Sequence, residues 1–162
     1  MQFFIKLHKT VLKNILLKRI FTKTQIFVLS NTQRYFLKKT DRLKSRKAIE
    51  ILYKNGKHFS IYPFRIQYLV TKFEPGIKAG FSAPTKNFKK ATDRNRIKRL
   101  IKEAYRLQKN EIEKHQSLIE NGLHIFIIYT GKDLPKYDFI AEKTASVLQK
   151  LTKQLDLLVK TD

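Results

Sequence analysis

Hydrophobic and polar positions alternate along this chain in three different rhythms, and each rhythm predicts a different element. From Asp93 the apolar residues Ile97, Leu100, Ile101, Ala104, Tyr105 and Leu107 recur at helical spacing, which predicts an amphipathic helix with one buried stripe. Its start falls between Asn87 and Arg94, and it runs through Leu107, with the charged stretch to Gln116 as a continuation or a loop. In Phe64 to Phe73 the apolar set Phe64, Ile66, Tyr68, Val70 alternates with Arg65, Gln67, Leu69, Thr71, the two-residue period of a strand. Leu123 to Tyr129 (LHIFIIY) is almost unbroken apolar, as a central strand covered on both faces would be.

The remaining elements follow from shorter signals. Ser45 is placed to cap a first helix carrying Ile49, Leu52 and Tyr53, which stops at Asn55-Gly56. His58 to Tyr62 reads as a strand broken from the next by Pro63. Glu74-Pro75-Gly76 reads as a turn and Ile77 to Ala83 as a third strand. Gly131 to Pro135 is a loop. Asp138 is expected to cap a last helix reaching about Leu158, with the stripe Ile140, Ala141, Ala145, Leu148, Leu151, Leu155 and Leu158. The order is α-β-β-β-α-β-α, an α+β (α/β sandwich) fold with helices packed on a four-stranded sheet. If the third strand and LHIFIIY pair in parallel, the general rule makes their helical crossover right-handed.

Charge changes this picture from a fold into a function class. The 162 residues hold 35 Lys and Arg against 13 Asp and Glu, a net charge of +22, which points to a polyanionic partner. The excess is concentrated in Thr85 to Asn110, where ten cations face two acids. At about 100° per residue, Asn95, Lys98, Arg99, Lys102 and Arg106 share the arc opposite the apolar stripe. Like charges at i, i+4 (Arg94/Lys98, Lys98/Lys102, Lys102/Arg106) oppose the helix by a few tenths of a kcal/mol each. A nucleic-acid backbone would offset that repulsion; a merely solvated face would not.

Residues 1–40 contain nine cations and no acid, with apolar residues that would make a basic amphipathic helix. Lysines interrupt every apolar run before it approaches the ~18 residues of a membrane span. This extension, expected to be disordered or loosely helical, has three readings: an RNA-binding arm, translation assigned from a start too far upstream, or a targeting or membrane-surface segment. Residues 41–162 read as a single RNA-binding domain.

Catalytic chemistry is sparse by comparison. His8, His58, His115 and His124 are scattered, and there is no cysteine, so neither a zinc set nor a disulfide is expected. The five glycines form no phosphate loop. A two-metal nuclease would need several carboxylates in one pocket, and the acids here are dispersed. No catalytic residue and no metal ligand is assigned. A binding protein remains, with two surfaces: the cationic arc, and a groove where Ile49, Tyr53 and Tyr68 could meet as stacking platforms beside cations.

The run DRNRIKRLIKEAYR, Asp93 to Arg106, resembles the signature of the bacterial ribonuclease P protein component family. GFSAPTKNFKKA (Gly80 to Ala91) and RLKSRKAIEILYKNGK (Arg42 to Lys57) are similar to its approach to that motif and to its first helix. The resemblance spans about Asp41 to Leu158. It implies that the crossover is left-handed. It implies partners too: a catalytic RNA subunit, and precursor tRNA whose 5′ leader is removed by endonucleolytic cleavage. The enzyme is then ribonuclease P, a ribonucleoprotein whose RNA carries the catalysis. Mg2+ serves the holoenzyme, bound mainly by RNA and not by the protein alone. Carried over by motif, Arg94, Asn95, Arg96, Lys98 and Arg99 would face RNA, with Lys102, Arg106, Lys86, Lys89 and Lys90 extending that surface. Ile49, Tyr53 and Tyr68 would form the leader cleft. The resemblance also implies a cytoplasmic protein, monomeric when free and without a stable membrane partner. Two departures stand out: Ile49 lies where a Phe is common, and Phe88-Lys89-Lys90 replaces a common Gly-Asn step. A structural RNA-binding protein with no processing role, such as a ribosomal protein, is the alternative.

Overall fold

The computed structural model describes residues 37–72, 76–113 and 121–159. The expectation for residues 1–40 therefore falls outside it, except at its last positions. Leu37 is buried in the main core, so the folded unit reaches back to that residue.

Four strands form one sheet in the order β1-β2-β4-β3. β1 (Lys57–Ile61) and β2 (Phe64–Thr71) make an antiparallel hairpin around the Tyr62-Pro63 step, which is cis. β2 pairs antiparallel with β4 (Gly122–Tyr129), and β4 pairs in parallel with β3 (Ile77–Ser82). The helices are α1 (Arg46–Asn55), α2 (Ala91–Gln108), the single turn α3 (Asn110–Glu113) and α4 (Tyr137–Val159). The expected order holds, with α3 as an added turn on the charged stretch after α2. Solvent does not meet β3's outer edge directly at Ala79: Leu43 N–H donates to Ala79 O (3.0 Å) and Ala79 N–H to Asp41 O (2.9 Å). That pairing blunts an edge which would otherwise invite another strand.

The two sheet faces are settled by register. Phe64, Ile66, Tyr68 and Val70 stand opposite Tyr129, Ile127, Ile125 and Leu123, and this set points toward α2 and α4. Phe81 meets Tyr105 of α2 edge-on at 5.5 Å, and Gln108 Nε2 donates to Ala141 O of α4 at 3.0 Å. Ile97, Ile101, Ala104 and Tyr105 supply the buried underside of α2. Leu107, expected in that stripe, is 40% exposed, because two residues past Tyr105 the helix has turned it some 200° away from that ring. In α4 the buried stripe is Ile140, Thr144, Val147, Leu148, Leu151 and Leu155. Thr144 is tolerated there because its hydroxyl donates to Ile140 O at 2.7 Å. Asp138 is the second residue of α4 and lies in its first turn; the helix begins two residues earlier than a cap at that position requires.

α1 covers the other face. Ser45 caps it as expected, accepting from Ala48 N–H at 3.4 Å. Leu52 is fully buried, yet neither it nor Leu43 belongs to the main core. They fill a smaller layer between α1 and the sheet. Gly76, at φ +95°, closes the turn before β3 in a conformation that side chains rarely adopt.

Candidate nucleic-acid interface

The outer face of α2 is the stronger of the two candidate surfaces. Fully buried Ile97 and Ile101 fix its rotation about the helix axis, so the opposite arc has no choice but to face solvent. Asn95, Arg96 and Arg99 are exposed; Lys98, Lys102 and Arg106 are partly so. Within the arc the charge is moderated at one place. Arg106 Nε donates to Glu103 Oε2 at 2.9 Å, and that bond holds the Glu103 carboxyl below its usual range. Beyond the helix, Lys109 reaches Glu113 at 2.7 Å and Asp41 at 3.8 Å.

Arg94 stands apart from its neighbours. Its Nη1 donates to Phe88 O (2.8 Å) and Lys89 O (2.6 Å), so the guanidinium ties the lysine-rich loop to the first turn of α2. Lys90 is the N-cap and makes no side-chain capping bond; the Arg94 clamp and the buried Phe88, 5.9 Å from the Tyr129 ring, hold the entry instead. Lys86, Lys89 and Lys90 are exposed on that loop.

The second surface is the sheet face beneath α1, and here one expectation is corrected. Tyr68 is 4% exposed and packs edge-on against Phe59 at 6.1 Å, on the α2/α4 side. It does not meet Ile49 or Tyr53. Strand parity explains this, since Tyr68 shares the face of Phe64 and Ile66. The residues that do lie on the cleft face are Arg65, Gln67, His124 and Phe126, placed by the pairs Gln67–Phe126 and Leu69–His124. Tyr53, 49% exposed, contacts Phe126 edge-on at 5.9 Å. Ile49 is half-buried on the same helix. Phe126 lies over Gly80, where a Cβ would come within 2.4 Å of its ring; only glycine leaves that ring room. Burial raises the Tyr53 phenol pKa, and the nearby Arg65 guanidinium partly offsets it. Gln67 is buried beside this pair, its Oε1 without a hydrogen-bond partner. Phe126 lies in an evenly apolar strand, where only its pairing with Gln67 of β2 marks the face it takes.

Among the described residues no three His, Asp or Glu side chains gather to hold a metal. No described helix is long and apolar enough to cross a membrane. The arrangement presents cations on one side of the sheet and half-open aromatic rings on the other.

Comparison with known proteins gives the family. The family model Ribonuclease P matches residues 37–154. The ribonuclease P protein component of Porphyromonas gingivalis is 38% identical over 76 residues, 46% of this chain and 56% of that protein; over this match the chain spans about half its relative's length. That of Dictyoglomus turgidum is 29% identical over 127 residues, covering 78% of this chain and 98% of its own. The solved RNase P protein from Thermotoga maritima superimposes with a TM-score of 0.54 at 24% identity, over 67% of this chain and 96% of that one. The Staphylococcus aureus protein does so at 0.54 and 20%, over 68% and 94%. At these identities the structural likeness is one of fold.

Proposed function

The chain belongs to the ribonuclease P family, and we propose from that membership that it is the protein subunit of a ribonucleoprotein that removes the 5′ leader of precursor tRNA. In this reading the catalytic RNA binds the outer arc of α2 through Asn95, Arg96, Lys98, Arg99, Lys102 and Arg106. The lysines at 86, 89 and 90 extend that contact. The leader lies across the Tyr53–Phe126 cleft, beside Ile49 and Arg65. RNA performs the hydrolysis with its own magnesium, and none of this chain's side chains is assigned to the ion.

The observation that carries the reading is the fixed rotation of α2. Ile97, Ile101, Ala104 and Tyr105 are buried, so the charges on the far arc are held in register. A rigid row of cations neutralises successive phosphates and releases their counterions, which favours association and makes it salt-dependent. Two RNAs repel each other, and a +22 protein between them lowers that repulsion. The half-open aromatic pair supports a single strand on the other side, since a base stacks on any accessible ring regardless of sequence.

Titration of the full chain against a bacterial ribonuclease P RNA tests this. Arg96→Ala and Arg99→Ala should each weaken binding by about 1 kcal/mol or more, and each should reduce the salt slope by about one. Unchanged affinity at low and moderate salt would contradict the assignment. RNA binding with no effect on leader removal would favour a structural RNA-binding role instead.

A further inference from the structure

One end of the sheet gathers three segments, and of these the candidate surfaces use only the lysines of the loop before α2. The Tyr62-Pro63 turn, the loop 83–90 before α2 and the loop 130–136 after β4 all meet there, because Ile61 pairs with Phe64 and Phe64 with Tyr129. Hydrogen bonds stitch them together. Thr130 donates to Pro63 O through its N–H (2.7 Å) and its hydroxyl (2.9 Å), and Asn87 Nδ2 donates to Thr130 O and Gly131 O (both 3.0 Å). Tyr129 also lies here. Its hydroxyl donates to Asp133 O at 2.9 Å, and its phenol pKa is raised by burial first and by the neighbouring Tyr62 second.

Tyr62 is the anomaly in this assembly. It is 69% exposed, the most exposed large hydrophobic side chain among the described residues. Lys86, Lys89, Lys90, Lys132 and Lys136 are all exposed on the two stitched loops, and Asp133 is the acid between them. An open ring costs hydration, and five like charges repel one another. A partner carrying both flat apolar faces and phosphates relieves both. Unpaired RNA has these two features together, and a protein surface rarely does. The parallel strands β3 and β4 also end here, where open sheets commonly bind ligands.

We propose that Tyr62 is a stacking residue for an unpaired nucleotide of bound RNA, with Lys132 and Lys136 on the adjoining phosphates. This forms a third contact surface at the end of the sheet. It rests on the reading that this chain binds RNA.

The chain has no tryptophan, so Tyr62→Trp in the full chain places a single reporter at the site. The probe is a fluorescein-labelled single-stranded oligoadenylate roughly ten nucleotides long. A Tyr53→Ala, Phe126→Ala background removes stacking on the other face. Tryptophan emission should fall and saturate together with the anisotropy rise, while heparin, a polyanion without bases, binds without that fall. Tyr62→Ala should weaken oligoadenylate binding about fivefold or more, and Tyr62→Phe should leave it intact. Lys132→Ala with Lys136→Ala should reduce the salt slope by about 1.4. A rise in anisotropy with unchanged emission, or equal quenching by heparin, overturns the proposal and leaves RNA binding standing. No anisotropy change at all overturns both.

Discussion

The two faces of the sheet differ in what covers them, and that difference separates stability from recognition. On one face α2 and α4 bury Phe64, Ile66, Tyr68, Ile125, Ile127 and Tyr129. Under the shorter α1 the other face is only partly closed, leaving Tyr53 and Phe126 accessible and Arg65 in solvent. A closed face stabilises the fold through removed apolar area. An open aromatic face forgoes part of that stabilisation and keeps rings available to a ligand. One comparison then governs what each substitution should do: changes under α2 act on folding, and changes under α1 act on binding.

The largest effect tests the closed face. Ile101 is fully buried on the underside of α2, so Ile101→Ala should cost roughly 2–5 kcal/mol. Thermal or urea unfolding would read this as a clear loss of stability, with RNA affinity recovered under conditions where the variant folds. A variant as stable as the parent would mean that α2 is not anchored there. The next effect tests the open face. Phe126→Ala removes half of the ring pair and should weaken binding of leader-bearing precursor tRNA by roughly 1–3 kcal/mol, with little change for a substrate trimmed to a short leader. Equal losses for both substrates would break the division between faces.

A smaller effect lies in the cationic arc itself. Glu103 is the one acid inside it, bonded to Arg106, with its folded pKa depressed. A depressed carboxylate contributes stability that is present above its unfolded pKa, near 4.5, and lost as pH falls through the lower folded value. Glu103→Gln should therefore flatten the acid end of the stability profile slightly. The same change removes the Glu103 bond to Arg106 and should tighten RNA binding modestly at neutral pH. Weaker binding would mean that the pair positions Arg106 for RNA rather than shielding it.

Much of this was legible in the chain because periodicity reports burial directly. The stripe Ile97, Ile101, Ala104, Tyr105 located α2 and, by opposition, its cationic arc. The four strands and three main helices followed from rhythm and turn residues. The cleft was harder to read. Residue type and family resemblance both point Tyr68 toward it, but parity with Phe64 and Ile66 places Tyr68 on the closed face. Phe126 was hidden for the opposite reason: β4 is central, so both of its faces are apolar and alternation carries no contrast. Arg94 shows a further limit. Nothing in the motif's spacing distinguishes an arginine that faces solvent from one that donates to Phe88 O and Lys89 O and holds the loop.

The central claim is that the ordered cations of α2 grip an RNA that does the cutting. Its most direct test is leader removal from precursor tRNA by a bacterial ribonuclease P RNA at low magnesium, with the parent chain and with the Arg96→Ala, Arg99→Ala double variant. The parent should restore cleavage, and the folded double variant should require more protein or more magnesium to do so. Equal rescue by both proteins at limiting concentration would contradict the account.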